Sequence, residues 1–424
     1  MRVVIINKSD SVGGAAVVSL RLMRALCDAG VDARMLVVDH RVTDDSRVGS
    51  YASAVADKAT FLAERMQIFM NNGFSRANLF TVDTARFGRD ISTHEWVTGA
   101  DVIMLNWINQ GALSLKAVGR ICDLGKPVIW TMHDMWNCTG ICHHAGECTA
   151  YTDRCGRCRL LKSHRTLDIA RLTQIKKSRL YSNHPNLTFV AVSNWLGFRC
   201  RESSLMENAL MEIIPNAFPV DNFAYSRIVD NHYPSTVGKK VIVMGAARLD
   251  DPIKGLDLLI EACRHIAATK PHLAERLHLL LYGSIRDRSL LDKIAIGHTF
   301  VGQIDGLHNL NEIYRHADVV VSASRYETLP GTLIEGQASG CVPVTFGKGG
   351  QADIVDHRRT GYIARYIDIV DLADGIEWAT ECGIDRQALH HEVRTKFSAE
   401  AVAQSYIELC RRLLRKQGNT PQPD

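Results

Sequence analysis

The chain has 424 residues, 46% of them hydrophobic, a length at which one core gives way to two domains of ordinary size. Fifty lysines and arginines stand against 46 aspartates and glutamates; the resulting charge of +4 lends no support to nucleic-acid binding and leaves only local basic patches to matter. The apolar run in "MRVVIINKSD" is too short for a secretory leader, and no stretch approaches the ~20 apolar residues of a membrane span, so a cytoplasmic protein is expected. Twelve cysteines in such a chain argue against a disulfide framework and for scattered core thiols beside a candidate metal cluster.

In chain order, apolar strands are predicted at 3–6, 33–38, 101–107, 127–133 and 188–193, with a helix over 15–29 after the first. A polar, irregular stretch ends near Lys239, and strands recur at 240–248, 277–283, 299–302, 318–324 and 341–346. Uniformly apolar strands alternating with helices indicate parallel sheets covered on both faces. The expected fold is α/β: two tandem, Rossmann-like, doubly wound domains, 1–217 and 218–397, with the strand ends opening on a cleft between them. "SAEAVAQSYIELCRRLLRK" (398–416) sets Ala401, Tyr406, Ile407, Leu409 and Leu413 on one helical face, which must dock, and the first domain is the expected place. The final "QGNTPQPD" is expected to be disordered.

Several residues bear on chemistry. Gly13 and Gly14, between the first strand and its helix, form either a tight turn or a place where backbone N–H groups approach an anion; the pattern is not the dinucleotide G-x-G-x-x-G. Asn106 and Trp107 follow one strand and His133 the next. Cys155 and Cys158 have the C-x-x-C spacing that lets two thiolates bind one tetrahedral zinc, and Cys142 and Cys148 complete four ligands, with His143 and His144 as substitutes. A loop rich in Gly and Thr has little apolar material to order it, so a structural zinc would supply folding energy; reduced thiols or a redox pair are the alternatives. The basic run that follows (Arg157, Arg159, Lys162, Arg165, Arg171, Lys176, Lys177, Arg179) reads equally as a solvated helix face or as a contact to anionic headgroups. Met and Phe residues within 62–80 either touch a membrane or pack.

In the second half, Arg248 and Lys254 of "ARLDDPIKG" follow a strand, with Asp250 and Asp251 beside them either to pair with Arg248 or to modulate the choice of ligand. In "SRYETLPGTLIEGQASGCVPV", Glu327 ends a strand and Glu335 sits about a turn and a half into the next helix, with Pro330 in its first turn. A carboxylate accepts two hydroxyl hydrogen bonds, as a vicinal diol offers, and free N–H groups near Gly331 and Thr332 suit a phosphate.

Glu327, seven residues and Glu335, between an apolar strand and "GQASGCVPV", resemble the signature of the retaining glycosyltransferases of family four, which have the GT-B fold. "GAARLDDPIKGLDLLIEA", "LLLYGS", "FVGQI", "GGQADIVDHRRTGYIA", "SVGGAA", "TMHDMW", "AVSNWL" and "IIPNAF" fit in the same order. "HDMW" followed by clustered cysteines looks most like enzymes assembling bacterial exopolysaccharides, such as the colanic-acid glycosyltransferases. The resemblance implies a UDP- or GDP-sugar donor, a saccharide or lipid-linked acceptor, peripheral contact with the inner membrane face, and no metal or other cofactor in donor activation. It assigns Arg248 and Lys254 to the donor diphosphate, Glu327 to the transferred sugar, Glu335 to the ribose and His133 to the reacting sugar. Gly13, Gly14, Leu329, Gly331, Thr332 and Asn216 complete the donor site, although Ala217 replaces the family's usual glycine after Asn216. A nucleotide-sugar epimerase of the same shape and a non-catalytic nucleotide-sugar binder are the rival readings.

Overall fold

The computed structural model describes residues 1–42, 44–51, 54–163, 165–228 and 232–418. The chain divides into two compact units, Met1–Ala217 joined by the segment from Val402 on, and Phe218–Ala401.

Among the described residues, the first unit holds a seven-stranded parallel sheet of β1 (Arg2–Ser9), β2 (Asp32–Asp39), β3 (Val48–Ser50), β4 (Val102–Leu105), β5 (Val128–Met132), β6 (Leu187–Ala191) and β7 (Leu210–Ile213). Their order is β3-β2-β1-β4-β5-β6-β7, so it reverses between β1 and β4. The second unit repeats the plan with β8 (Lys240–Arg248), β9 (Leu277–Ser284), β10 (Gly297–Gly302), β11 (Val319–Ser322), β12 (Val342–Phe346) and β13 (Tyr362–Ala364). Their order β10-β9-β8-β11-β12-β13 reverses between β8 and β11.

Why the strands read as unbroken apolar runs is visible in β8. Val241 and Val243 enter one core with Leu280, Val320 and Leu333, while Ile242 and Met244 enter the other with Leu279, Val319 and Val344. Side chains alternate between faces, and both faces are covered, so every position is apolar. β3, β7 and β13 were not anticipated. They lie at sheet edges, have three or four residues each, and sequences such as "VGS" carry neither an apolar run nor an alternation.

The last helix, Ala399–Gly418, buries Val402, Ala403, Tyr406, Ile407, Leu409 and Cys410. Tyr406 shares a 3.0 Å hydrogen bond with the Thr131 hydroxyl in β5, and Arg412 pairs with Glu212 in β7. The helix takes in Gln417 and Gly418, which composition had assigned to a disordered tail, because the Gln417 amide donates to the Gly125 carbonyl; residues 419–424 lie outside the described residues.

Candidate functional site

Loops leaving two adjacent strands at a reversal of strand order run to opposite faces and leave a crevice at the carboxyl ends. In the second unit that point lies between β8 and β11. Arg248 is the last residue of β8, Lys254 ends the short turn Pro252–Lys254, and Glu327 comes five residues after the end of β11. Lys254 Nζ lies 2.5 Å from Glu327 Oε1, and the Ser324 hydroxyl donates to the same oxygen at 3.1 Å. Here is the partner that a half-buried carboxylate requires. Gly255 has φ +72, and a β-carbon there would lie 1.9 Å from the Ala323 carbonyl oxygen, so the Lys254 loop presses on the end of β11 as only glycine allows.

Arg248 pairs with Asp251 at 3.1 Å. Its neighbour Asp250 accepts from the amides of Arg286 and Asp287, tying down the loop after β9. Sequence reasoning missed Arg325, whose guanidinium grips Asp257 through two bonds of 2.9 and 2.6 Å and also donates to the Pro252 carbonyl. That strap joins the loop after β11 to the loop after β8 and holds Glu327 and Lys254 in register. An arginine at a strand end and an aspartate in the first turn of another strand's helix were the available signal.

Glu335 is the fifth residue of the helix Gly331–Ala338. Pro330 is not in the first turn, as the sequence suggested, but at the N-cap, where its extended backbone leads into the helix. No side chain caps this end, so the amides of Gly331 and Thr332 are left to meet a ligand or water. A β-carbon at Gly331 would lie 2.8 Å from the Phe218 ring and 3.9 Å from Glu335 Oε1, which shows the carboxylate turned back toward the helix start. Leu329 packs on the cluster containing Phe218. Beneath, the hydroxyls of Tyr282 and Tyr314 meet at 2.6 Å, and Tyr314 also donates to the Thr332 carbonyl. Burial raises both phenols far above their ordinary range, helped by the Glu335 charge at Tyr282 and by Tyr282 and then Glu335 at Tyr314, so they remain donors.

In the first unit Gly13, at φ +91, precedes the helix Gly14–Asp28, whose N-terminus likewise lacks a side-chain cap; β-carbons built at Gly13 and Gly14 would meet nothing within 4 Å. His133 follows β5. With Ser19, Asn106, Thr131, Asn216 and Tyr406 it lines a narrow pocket in which His133 Nε2 and Asn106 Oδ1 are buried without a hydrogen-bond partner among the described residues. Burial pushes the His133 imidazole down to about 4, so it is neutral near pH 7. Ala217, where the resemblance expects glycine, does not need a positive φ, so the turn after Asn216 accommodates a β-carbon.

Sequence reasoning left Asp134 without a role. It accepts from Trp107 Nε1 at 3.2 Å, from the Trp136 amide at 2.8 Å, and pairs with His143 Nδ1 at 2.8 Å, while the His143 ring stacks on Trp107. Burial opposes both charges, yet the pair overcomes it, holding the Asp134 carboxyl well below and the His143 imidazole above their ordinary values. His143 Nδ1 is thus engaged with Asp134, while its Nε2 is buried without a hydrogen-bond partner among the described residues.

Cys142, Cys148, Cys155 and Cys158 are half-buried free thiols. Three of them, Cys142, Cys155 and Cys158, pack on a small cluster of Ile68, Val82, Ile141, Leu161, Ile169 and Ala170. Among the described residues, no three His, Cys, Asp or Glu side chains converge as a metal ion needs. The basic run is not one uniform face. Lys177 is fully buried, its ammonium donating to the Trp136 and Thr139 carbonyls and lying 3.4 Å from the centre of the Trp136 ring, so it is no headgroup contact.

Residues 238–381 match the family model of "Glycosyl transferases group 1". The D-inositol 3-phosphate glycosyltransferase of Stackebrandtia nassauensis is 31% identical over 147 residues, which are 32% of this chain and 33% of that protein. The chain thus spans about a third of the length of this curated relative. In fold, it superposes on sucrose-phosphate synthase from Thermosynechococcus elongatus with a TM-score of 0.64 at 17% identity, covering 98% of this chain and 100% of the other. HepE of Anabaena, solved in complex with UDP, gives 0.63 at 14% identity over 97% and 100%. The second unit carries a glycosyl transferases group 1 segment, in a chain whose two parallel-sheet units have the GT-B fold.

Proposed function

We propose that the protein is a retaining glycosyltransferase that moves a sugar from a UDP- or GDP-sugar to a saccharide or lipid-linked acceptor in surface-polysaccharide assembly, working in the cytoplasm. The observation that carries the reading is the 2.5 Å contact of Lys254 with Glu327, beside Arg248, at the reversal point of the second sheet. Carboxylates and cations at a strand-end crevice suit a ligand with both hydroxyls and phosphates.

On this reading Arg248 and Lys254 bind the diphosphate and stabilise the charge it gains on leaving. Glu327 holds hydroxyls of the transferred sugar, Glu335 holds the ribose, and the uncapped amides of Gly331 and Thr332 take a phosphate oxygen beside Leu329. Gly13 and Gly14 offer amides from the first unit, Asn216 completes the donor site, and His133 acts at the reacting sugar. A neutral imidazole donates or accepts a hydrogen bond without adding charge to the reaction. The bond from the anomeric carbon to the diphosphate breaks as the acceptor oxygen attacks the same face, and the leaving phosphate oxygen takes the acceptor's proton. A cavity of about 610 Å³ in the first unit, lined by Lys8, His40, Arg41, Asp57, Lys58 and Phe61 among others, offers space and polar groups for an acceptor. The UDP held by the Anabaena protein favours a uridine donor. Cys142, Cys148, Cys155 and Cys158 would be the ligands of a structural zinc on this reading, and the metal would supply folding energy to their loop.

The test is thermal stabilisation by UDP, GDP, ADP and their common sugars, repeated on Glu335→Ala and Lys254→Ala. Stabilisation by one base, weakened in both variants, supports the reading. No shift with any nucleotide in folded protein overturns it.

A further inference from the structure

The first unit carries a surface that its fold leaves unused. On the helix Ala54–Asn71, Leu62, Met66 and Met70 recur every fourth residue and are 63%, 55% and 50% exposed. Just beyond, Phe74 is 71% and Phe80 61% exposed. Four-residue spacing stacks side chains in one stripe along a helix. The opposite side anchors the helix: Ile68 is fully buried, Arg65 pairs with Asp83 at 2.7 Å, and buried Glu64 accepts from the Thr84 amide and hydroxyl. Single exposed apolar residues are ordinary, but five within 19 residues make a patch.

Charge supplies the second observation. The segment 157–167 lies against the end of this helix: the Lys162 amide donates to Asn72 Oδ1 at 2.8 Å, and the Asn78 amide donates to the Leu160 carbonyl at 3.1 Å. Among the described residues of 58–80 and 157–167, the exposed charged side chains are Lys58, Arg76, Arg157, Arg159, Lys162 and Arg165, all basic, and the single acidic residue, Glu64, is buried. The apolar stripe is therefore edged by charge of one sign.

We propose that this surface seats the protein on an anionic lipid bilayer, with Met66, Met70 and Phe74 entering the headgroup boundary and the arginines and lysines meeting lipid phosphates. A second copy of the chain fits poorly, since pairing this face with itself would oppose like charges. Among the described residues no helix is long and apolar enough to cross a membrane, so the contact is peripheral. The inference deepens the functional reading, on which it rests only in making a lipid-linked acceptor the natural one. Binding to lipid is measurable without any transfer.

The experiment is co-sedimentation of the full chain with vesicles of phosphatidylcholine, with and without phosphatidylglycerol, at low and high salt. The probes are Met66→Glu with Phe74→Glu, and Arg159→Glu with Lys162→Glu; Val237→Glu, at another exposed apolar residue in the second unit, is the control. Binding that needs the anionic lipid, weakens with salt and falls on the order of tenfold in either double variant, but not in the control, is the expected result. Absence of binding to anionic vesicles at low salt overturns the proposal. So does binding that both double variants retain, or a wild-type dimer that Met66→Glu with Phe74→Glu converts to monomer, which would make the face a self-interface. Nucleotide-induced thermal shifts on the same variants stay unchanged, so failure of this proposal is distinguishable from failure of the donor-site reading.

Discussion

Lys254 Nζ and Glu327 Oε1 stand 2.5 Å apart, although 73 residues separate them in the chain. The contact joins the loop after β8 to the loop after β11, the two strands where the order of the second sheet reverses. On the proposed reading, a cation shared between this carboxylate and an incoming diphosphate ties sugar to leaving group. Replacing Lys254 with Ala removes a charge-assisted bond worth roughly 1.5–3 kcal/mol, so nucleoside diphosphate affinity falls about 10- to 100-fold by calorimetry. Glu327→Gln separates the roles. It should abolish most transfer from the sugar nucleotide while the diphosphate alone still binds, because on the proposed reading the carboxylate faces the sugar. Equal loss of both in the two variants would count against the division of labour.

The same substitution at two glycines should have opposite readouts. Gly255→Ala forces a β-carbon against the Ala323 carbonyl at φ +72, and relief requires the β8 loop to leave the end of β11. A loss of roughly 2–3 kcal/mol is expected in urea unfolding, with nucleotide binding weakened as Lys254 shifts. Gly14→Ala meets nothing within 4 Å, has ordinary helical φ, and should leave the urea midpoint unchanged or slightly higher. If the amides at this helix start meet the reacting molecules, Gly14→Ala lowers transfer without loss of stability. Unchanged transfer in Gly14→Ala removes that loop from the site.

Much of this arrangement was legible in the sequence because it depends on local pattern. Glu327 and Glu335 stood out as carboxylates in an apolar, small-residue setting, and each sheet was announced by strands too apolar to have a wet face. What was hidden depends on distance across the fold. The Arg325 strap to Asp257 spans 68 residues, and the pairing of Asp134 with His143 requires a loop to fold back on the end of β5. Lys177 looked like one more member of a basic run, since helical periodicity does not reveal that two carbonyls and the Trp136 ring wait on its buried side. The edge strands β3, β7 and β13 escaped because three or four residues hold no period.

Metal analysis addresses the cysteine loop. Cys155 and Cys158 flank a turn in which Gly156 and Arg157 both have positive φ, at +146 and +46. If zinc binds there with Cys142 and Cys148, the purified protein carries about one zinc per chain, a thiol-reactive mercurial releases it, and Cys155→Ser with Cys158→Ser lacks it. Protein purified without chelator that holds no zinc, with four thiols open to titration, discards the metal and leaves the apolar cluster around Ile68 to order the loop.

Two histidines in the first unit give stability opposite dependences on pH. His133 has its folded value lowered by burial from 6.5 to about 4, so as pH falls through 6.5 the unfolded chain takes up a proton that the folded chain refuses. Stability is therefore lost between about 6.5 and 4, by up to roughly 3 kcal/mol at one pKa unit per 1.36 kcal/mol. His143 has its folded value raised, with the Asp134 carboxylate outweighing burial, so its contribution is complete below 6.5 and disappears as pH rises through the folded value. Asp134, held low by the same pair, adds stability above 3.8 that persists until strong acid. Five of the six tryptophans lie in the first unit, so urea unfolding followed by tryptophan fluorescence reports mainly on it. His133→Asn should flatten the slope between pH 6.5 and 4 and leave the alkaline side unchanged, whereas His143→Gln should remove the decline above pH 6.5. A slope between pH 6.5 and 4 that survives in His133→Asn would mean that His133 is protonated and in contact with solvent, and would remove the neutral imidazole from the proposed mechanism.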